Sequence, residues 1–89
     1  MKSHLTKNFR GCFRKLPKRI QRLARKNYKV WKRNPYYPGL EFKQVGERIS
    51  VYSVRVSIGY RALGIKEDEI IVWFWIGSHP EYERLLRKF

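Results

Sequence analysis

The chain has 89 residues, 43% of them apolar and 16% aromatic, which fits one folded domain over 1–89 with a compact core and excludes a disordered tail. It carries 21 Lys and Arg against seven Asp and Glu, a formal charge of +14, which points to a polyanionic partner ahead of the competing readings, an anionic membrane surface or plain solubility. One cysteine, Cys12, excludes an internal disulfide and a cysteine-based metal framework; no signal-like start precedes Lys7, and Ile70–Ile76 falls well short of the ~20 apolar residues that cross a bilayer, so a soluble cytoplasmic protein without membrane or cofactor is expected.

Charge is distributed unevenly. Residues 1–40 hold thirteen cations and no acid, and all seven acids begin at Glu41. The first residues, His4 included, read as a loose terminus. From Thr6 to Leu16 the apolar residues Phe9, Phe13 and Leu16 recur at helical spacing. Pro17 suits the first turn of a second helix. That helix spans Lys18–Arg33, with Ile20, Leu23, Ala24, Tyr28 and Trp31 on one face and mainly Lys and Arg on the other. Asn34-Pro35 ends it. So short a link predicts a helical hairpin.

After Pro38-Gly39 the period becomes two. A strand is expected over Leu40–Val45, a turn at Gly46-Glu47, and a long strand over Ile49–Ile58. On the latter, Tyr52, Val54, Val56 and Ile58 face one way and Val51, Ser53, Arg55 and Ser57 the other. Gly59 permits a tight reversal into Tyr60–Lys66. Glu67-Asp68 turns the chain into Glu69–Ile76, which is apolar on both faces as a central strand should be. Ser78 and Glu81 form a capping box with Pro80 in the first turn of a last short helix, anchored by Leu85, Leu86 and Phe89. The expected class is α+β, a helical hairpin packed on a four-stranded, mainly antiparallel sheet with a short C-terminal helix.

No phosphate-cradling glycine loop, paired-histidine metal motif or serine triad is present. The remaining chemistry lies with Arg55 and Arg61 on consecutive strands, and with His79 and Tyr82 where the chain leaves the sheet. RNA can be cut without metal when its own 2′-OH attacks the adjacent phosphorus. That reaction needs a base, an acid, and cations against the charge building on phosphate. Histidine titrates in the right range, arginine matches phosphate oxygens, and tyrosine donates a proton or stacks on a base. Each residue also has a structural reading. Arg55 and Arg61 can pair with Glu41 or Glu47, His79 can be a surface residue, and Tyr82 a packing residue. Trp31, Trp73 and Trp75 read as core, and Glu41 and Glu47 are weak candidates for a second base.

Tyr52-Ser53-Val54-Arg55-Val56, leading to Gly59-Tyr60-Arg61-Ala62-Leu63, resembles the RelE/ParE superfamily of type II toxins. Trp75-Ile76-Gly77-Ser78-His79-Pro80-Glu81-Tyr82-Glu83 resembles the G-[ST]-H-x-E-Y-[DE] ending of its HigB-like members. The resemblance implies a ribosome-dependent mRNA endoribonuclease restrained by a cognate antitoxin, with ribosome and mRNA as its other partners. It implies that Arg55 and Arg61 grip the scissile phosphate, that His79 is general acid or base, and that Tyr82 orients or stacks on substrate. Arg14, Lys18, Arg19, Arg22, Arg25, Lys26, Lys29, Lys32, Arg33 and Lys43 would hold RNA or the ribosome. The same superfamily includes ParE-like toxins, which inhibit DNA gyrase without catalysis. That branch, or an inactive RNA- or ribosome-binding module, is the alternative.

Overall fold

The computed structural model describes all 89 residues. Strand β1 (Lys2–Leu5) leads into helices α1 (Lys7–Arg14) and α2 (Lys18–Arg33) and a 3-10 turn at Pro38–Leu40. Strands β2 (Lys43–Gln44), β3 (Val51–Ser57), β4 (Tyr60–Glu67) and β5 (Ile70–Ser78) follow, and helix α3 (His79–Leu86) closes the chain. The α+β class and the helical hairpin are as expected. The sheet has five strands, not four, in the order β1-β5-β4-β3-β2; β1 runs parallel to β5 and the other pairings are antiparallel.

The extra strand comes from the segment expected to be loose. Lys2 through Leu5 pair with Ile70 through Trp73, which places His4 in a strand. β5 is buried on both faces, and β4 covers only one of its edges. Without β1, the N–H and C=O groups of the other edge would lack partners. Four residues are too few for alternation to reveal such a strand in the sequence.

A second correction concerns residues 40–45. Leu40 belongs to the 3-10 turn, Glu41 adopts a left-handed conformation (φ 47°), and only Lys43–Gln44 pair with β3. The left-handed residue breaks the extended run that alternation suggested. The β3 strand is likewise shorter than expected, and Ile58 lies beyond it, exposed at the hairpin tip.

The helices end where their caps dictate. Thr6 Oγ1 accepts from the Phe9 amide at the start of α1. Pro17 is the N-cap of α2 and not a residue of its first turn. Between the two helices, buried Gln21 donates to the carbonyls of Leu16 and Arg14, so the end of α1 is satisfied by a side chain of α2.

The helical hairpin covers one face of the sheet around Ile20, Trp31, Val54, Ala62, Ile71, Trp73 and Ile76. On the other face, α3 brings Tyr82 against Val51, Leu63 and Trp75. Trp31 is 1% exposed and meets Trp73 edge-to-face, with ring centroids 5.4 Å apart. Gly64 makes room for that pair, since a β-carbon there would sit 2.8 Å from the Trp73 ring.

Two β-bulges tune this sheet. Leu63 pairs with Trp75 but Gly64 with Trp73, so Phe74 is an extra residue in β5. The bulge explains how Trp73 and Trp75, two apart in a strand, reach opposite faces. In β3 the extra residue is Val56, between the Arg55–Arg61 and Ser57–Tyr60 pairs. Each bulge presents a carbonyl to a helix side chain. Asn8 of α1 donates to Phe74 O at 2.7 Å, and Asn27 of α2 donates to Val56 O at 2.6 Å. The hairpin reversal uses no positive φ at Gly59. The bulge at Val56 supplies the local twist that tight hairpins otherwise take from a left-handed turn.

Candidate active site

Alternation on β3 and β4 leaves the partner of each arginine open until the register is known. In the structure Arg55 and Arg61 stand directly opposite each other across the ladder. The bulge at Val56 absorbs the odd residue in the connecting loop and so preserves this pairing. Both guanidinium groups approach one carboxylate: Arg55 Nε lies 3.9 Å and Arg61 Nη2 3.8 Å from Glu41 Oε2. At such distances the ion pairs are loose, and the half-exposed carboxylate can be displaced by another anion. Arg61 is further fixed by donating to the carbonyls of Ser57 and Tyr60 at 2.8 and 3.0 Å. Its guanidinium is thereby held at the hairpin tip. The structural pairing with Glu41 is present; Glu47 forms no ion pair.

The other side of the site comes from β5 and α3. Arg61 is paired with Gly77, and the His79 amide donates to Gly59 O at 2.8 Å. The start of α3 is therefore bonded to the hairpin that carries both arginines. Ser78 caps α3 as the sequence predicts: its amide and hydroxyl both donate to Glu81 Oε1, at 3.3 and 2.8 Å. The Ser78 hydroxyl and then its amide hold the Glu81 carboxyl below its ordinary range against desolvation, and the charges of Arg84 and Lys15 add smaller pulls in the same direction.

His79 lies in the first turn of α3, with Nε2 2.8 Å from Glu83 Oε1, one helical turn on. A carboxylate only accepts, so Nε2 carries the proton. The other ring nitrogen, Nδ1, is buried without a partner. Tyr82 is only 6% exposed, its ring 5.6 Å from that of His79 and packed on Val51, Leu63 and Trp75. It supports the histidine from below and has no open face on which a base can stack. In the sequence Glu83 stands out only as the last residue of the Gly77–Glu83 motif. Its i, i+4 spacing from His79 on a helix was the signal for this pair.

All ten cations expected to hold RNA are exposed: Arg14 on α1's last turn, the eight Lys and Arg of α2, and Lys43 on β2. None forms an ion pair. Between the helical hairpin and the sheet lies a cavity of about 660 Å³ lined by Phe9, Phe13, Tyr28, Trp31, Val54 and Trp73, with Arg10, Arg14, Lys18, Arg25 and Arg55 around it. The indole N–H groups of Trp31 and Trp73 are buried without acceptors. No helix is long and apolar enough to cross a membrane.

Residues 18–84 match the family model of the ParE-like toxin domain. No curated protein matches the chain. Among solved structures, a chain of the RelBE2 toxin–antitoxin complex from Mycobacterium tuberculosis is similar over 88% of this chain and 96% of its own, at 22% identity and TM-score 0.69. The YoeB/ParE toxin from Agrobacterium tumefaciens shares 13% identity over 89% of this chain and 99% of its own, at TM-score 0.68. The isolated RelE toxin of E. coli aligns over 99% and 98%, at 17% identity and TM-score 0.62. At these identities the likeness is one of fold.

Proposed function

The chain belongs to the ParE-like toxin family, within the RelE/ParE superfamily of type II toxin–antitoxin toxins, and on the arrangement of its side chains, not on the family match, we propose that it is a ribosome-dependent, metal-independent mRNA endoribonuclease. The observation that carries this reading is the opposition of Arg55 and Arg61 across one hairpin whose tip is bonded to the start of the His79 helix. Two guanidinium groups directed at one oxyanion form a phosphate clamp, and here Glu41 occupies that place. When the scissile phosphate displaces the carboxylate, the arginines neutralise the charge that develops as the 2′-OH attacks phosphorus. The released Glu41 then stands beside the phosphate as a candidate base for the 2′-OH. His79 protonates the departing 5′-oxygen. With Nε2 on Glu83 and Nδ1 buried, the imidazole must turn off Glu83 to reach substrate. Tyr82 is a positioning residue beneath it.

In this reading the exposed cations of α1 and α2 hold RNA of the ribosome independently of sequence. The cognate antitoxin, an acidic protein, covers the basic helices or the cavity beneath them and neutralises the same charge. Toxin–antitoxin complexes among the structural neighbours support such a partner.

The ParE-like family match and the engaged state of the candidate groups favour a second reading, a contact toxin of the gyrase-inhibiting kind. In the resting structure the arginines are paired with Glu41, and neither nitrogen of His79 is open. Primer extension on a reporter message in a translating extract separates the two. The nuclease reading predicts new 5′ ends that require ribosomes and fall ~10²–10⁴-fold with His79→Ala. An intact message with translation unaffected contradicts it and favours gyrase.

A further inference from the structure

We propose that Tyr36 and Tyr37 form a stacking platform for unpaired nucleobases, placed between the basic helix α2 and the Arg55–Arg61 pair. The proposal rests on the RNA-binding reading above and adds a site to it. Both side chains stand in solvent, 63% and 54% exposed, whereas all three tryptophans are buried. Two neighbouring tyrosines thus present aromatic faces to solvent, where a flat ligand ring can meet them.

The loop that holds them is set in advance. The Tyr36 amide donates to Asn34 Oδ1 and the Tyr37 amide to Asn34 O, each at 3.1 Å, while Tyr37 O accepts from Leu40 N–H at 3.0 Å. Pro35 and Pro38 fix φ on either side. Little conformational entropy is then lost when a ligand settles on the rings. Tyr36 is also backed by the core, its ring 5.6 Å from that of Phe42, which packs on Tyr52 at 5.0 Å.

The surroundings select the ligand. Lys32 and Arg33, in the last turn of α2, are exposed just before the loop and have no carboxylate partner, Lys32 lying over the Tyr28 ring. The next carboxylate along the chain, Glu41, is engaged with Arg55 and Arg61. Cations beside open aromatic faces suit a strand whose backbone is anionic and whose bases offer π-faces. Two rings alone are too small a patch for a stable protein interface. Bases in a duplex are already stacked on each other, so the platform selects single strands or loops.

Position ties the platform to the candidate chemistry. Tyr37 precedes Glu41 by four residues, which span at most ~14 Å even when extended. A base seated there lies within a few nucleotides of a phosphate held where the Glu41 carboxylate now sits, so the platform would set the register of the strand.

Fluorescence anisotropy with the full chain tests this, using a 2′-O-methyl single strand, which lacks the attacking 2′-OH, and its duplex. Tyr36→Ala/Tyr37→Ala should weaken single-strand binding about 5- to 150-fold for each base that stacks. It should leave duplex binding and the salt dependence unchanged, because stacking releases no counterions. Tyr36→Phe/Tyr37→Phe should retain the affinity. Lys32→Ala/Arg33→Ala should instead lower the salt slope. Unchanged single-strand affinity in the alanine variant, or equal loss for both RNAs, overturns the platform while RNA binding by the wild type stands. Lost antitoxin binding with RNA binding intact overturns it in favour of a protein partner. No binding of either RNA by the wild-type chain removes the RNA-binding reading itself.

Discussion

On α2, eight cations stand in water with no ion-pair partner, whereas at the β3–β4 hairpin two arginines share one carboxylate and Arg61 is further held by backbone carbonyls. The first arrangement is diffuse. It offers charge along a helix and fixes no geometry, which suits a polyanion held at many equivalent points. The second concentrates charge at one place and fixes it in a rigid frame. On the proposed function, the difference separates affinity from chemistry: many interchangeable contacts would supply the former, and a few oriented groups the latter.

The largest effect expected on binding comes from the α2 face. Replacing Arg22, Arg25, Lys26 and Lys29 with glutamine should lower the slope of log K against log salt by up to about 3 on single-stranded RNA, measured by titration at several salt concentrations. Thermal stability should hold or rise, since like charges are removed from one helix face. An unchanged slope would mean that α2 does not touch phosphate. A smaller effect is expected at the hairpin's support. Asn27→Ala leaves the Val56 carbonyl without its donor and should cost about 1–3 kcal/mol in urea unfolding, with cleavage falling more than RNA affinity. If affinity and cleavage fell together, the bulge would not be what positions the arginines.

The smallest effect concerns the cap of α3. Ser78→Ala should cost about 1 kcal/mol. Glu81 has a lowered pKa when folded, so its contribution is present above its ordinary value near 4.5 and is lost as pH falls through the depressed one. Denaturation midpoints of wild type and Glu81→Gln should therefore differ at pH 7 and converge in acid. A constant difference would place the Glu81 contribution in packing.

How legible these regions were in the sequence differs for a physical reason. Helix α2 was readable to its end residues because periodicity, Pro17 and Asn34-Pro35 are all local signals. The capping box of α3 was local as well. Strand β1 was hidden, since its stability comes from the open edge of β5, about seventy residues away in the chain. The bulges were hidden too; a bulge is a property of two strands, and its satisfying partners Asn8 and Asn27 lie on helices. At the candidate site, residue types were readable, as were the packing reading of Tyr82 and Glu41 as one possible partner of the arginines; the exact relations were not. That Arg55 faces Arg61 follows from register. That Tyr82 lies under His79 and not on the surface follows from how α3 packs on Leu63 and Trp75.

The most direct test of this division is to follow RNA binding and ribosome-dependent cleavage together in Arg61→Ala and in the α2 glutamine variant. Arg61→Ala should lower cleavage by ~10²–10³-fold, the range of one oriented charge-stabilising group, with RNA affinity nearly unchanged. The α2 variant should lose affinity but cleave at an undiminished rate once ribosome-bound. Loss of binding and cleavage in the same proportion in both variants would instead place recognition and chemistry on one surface.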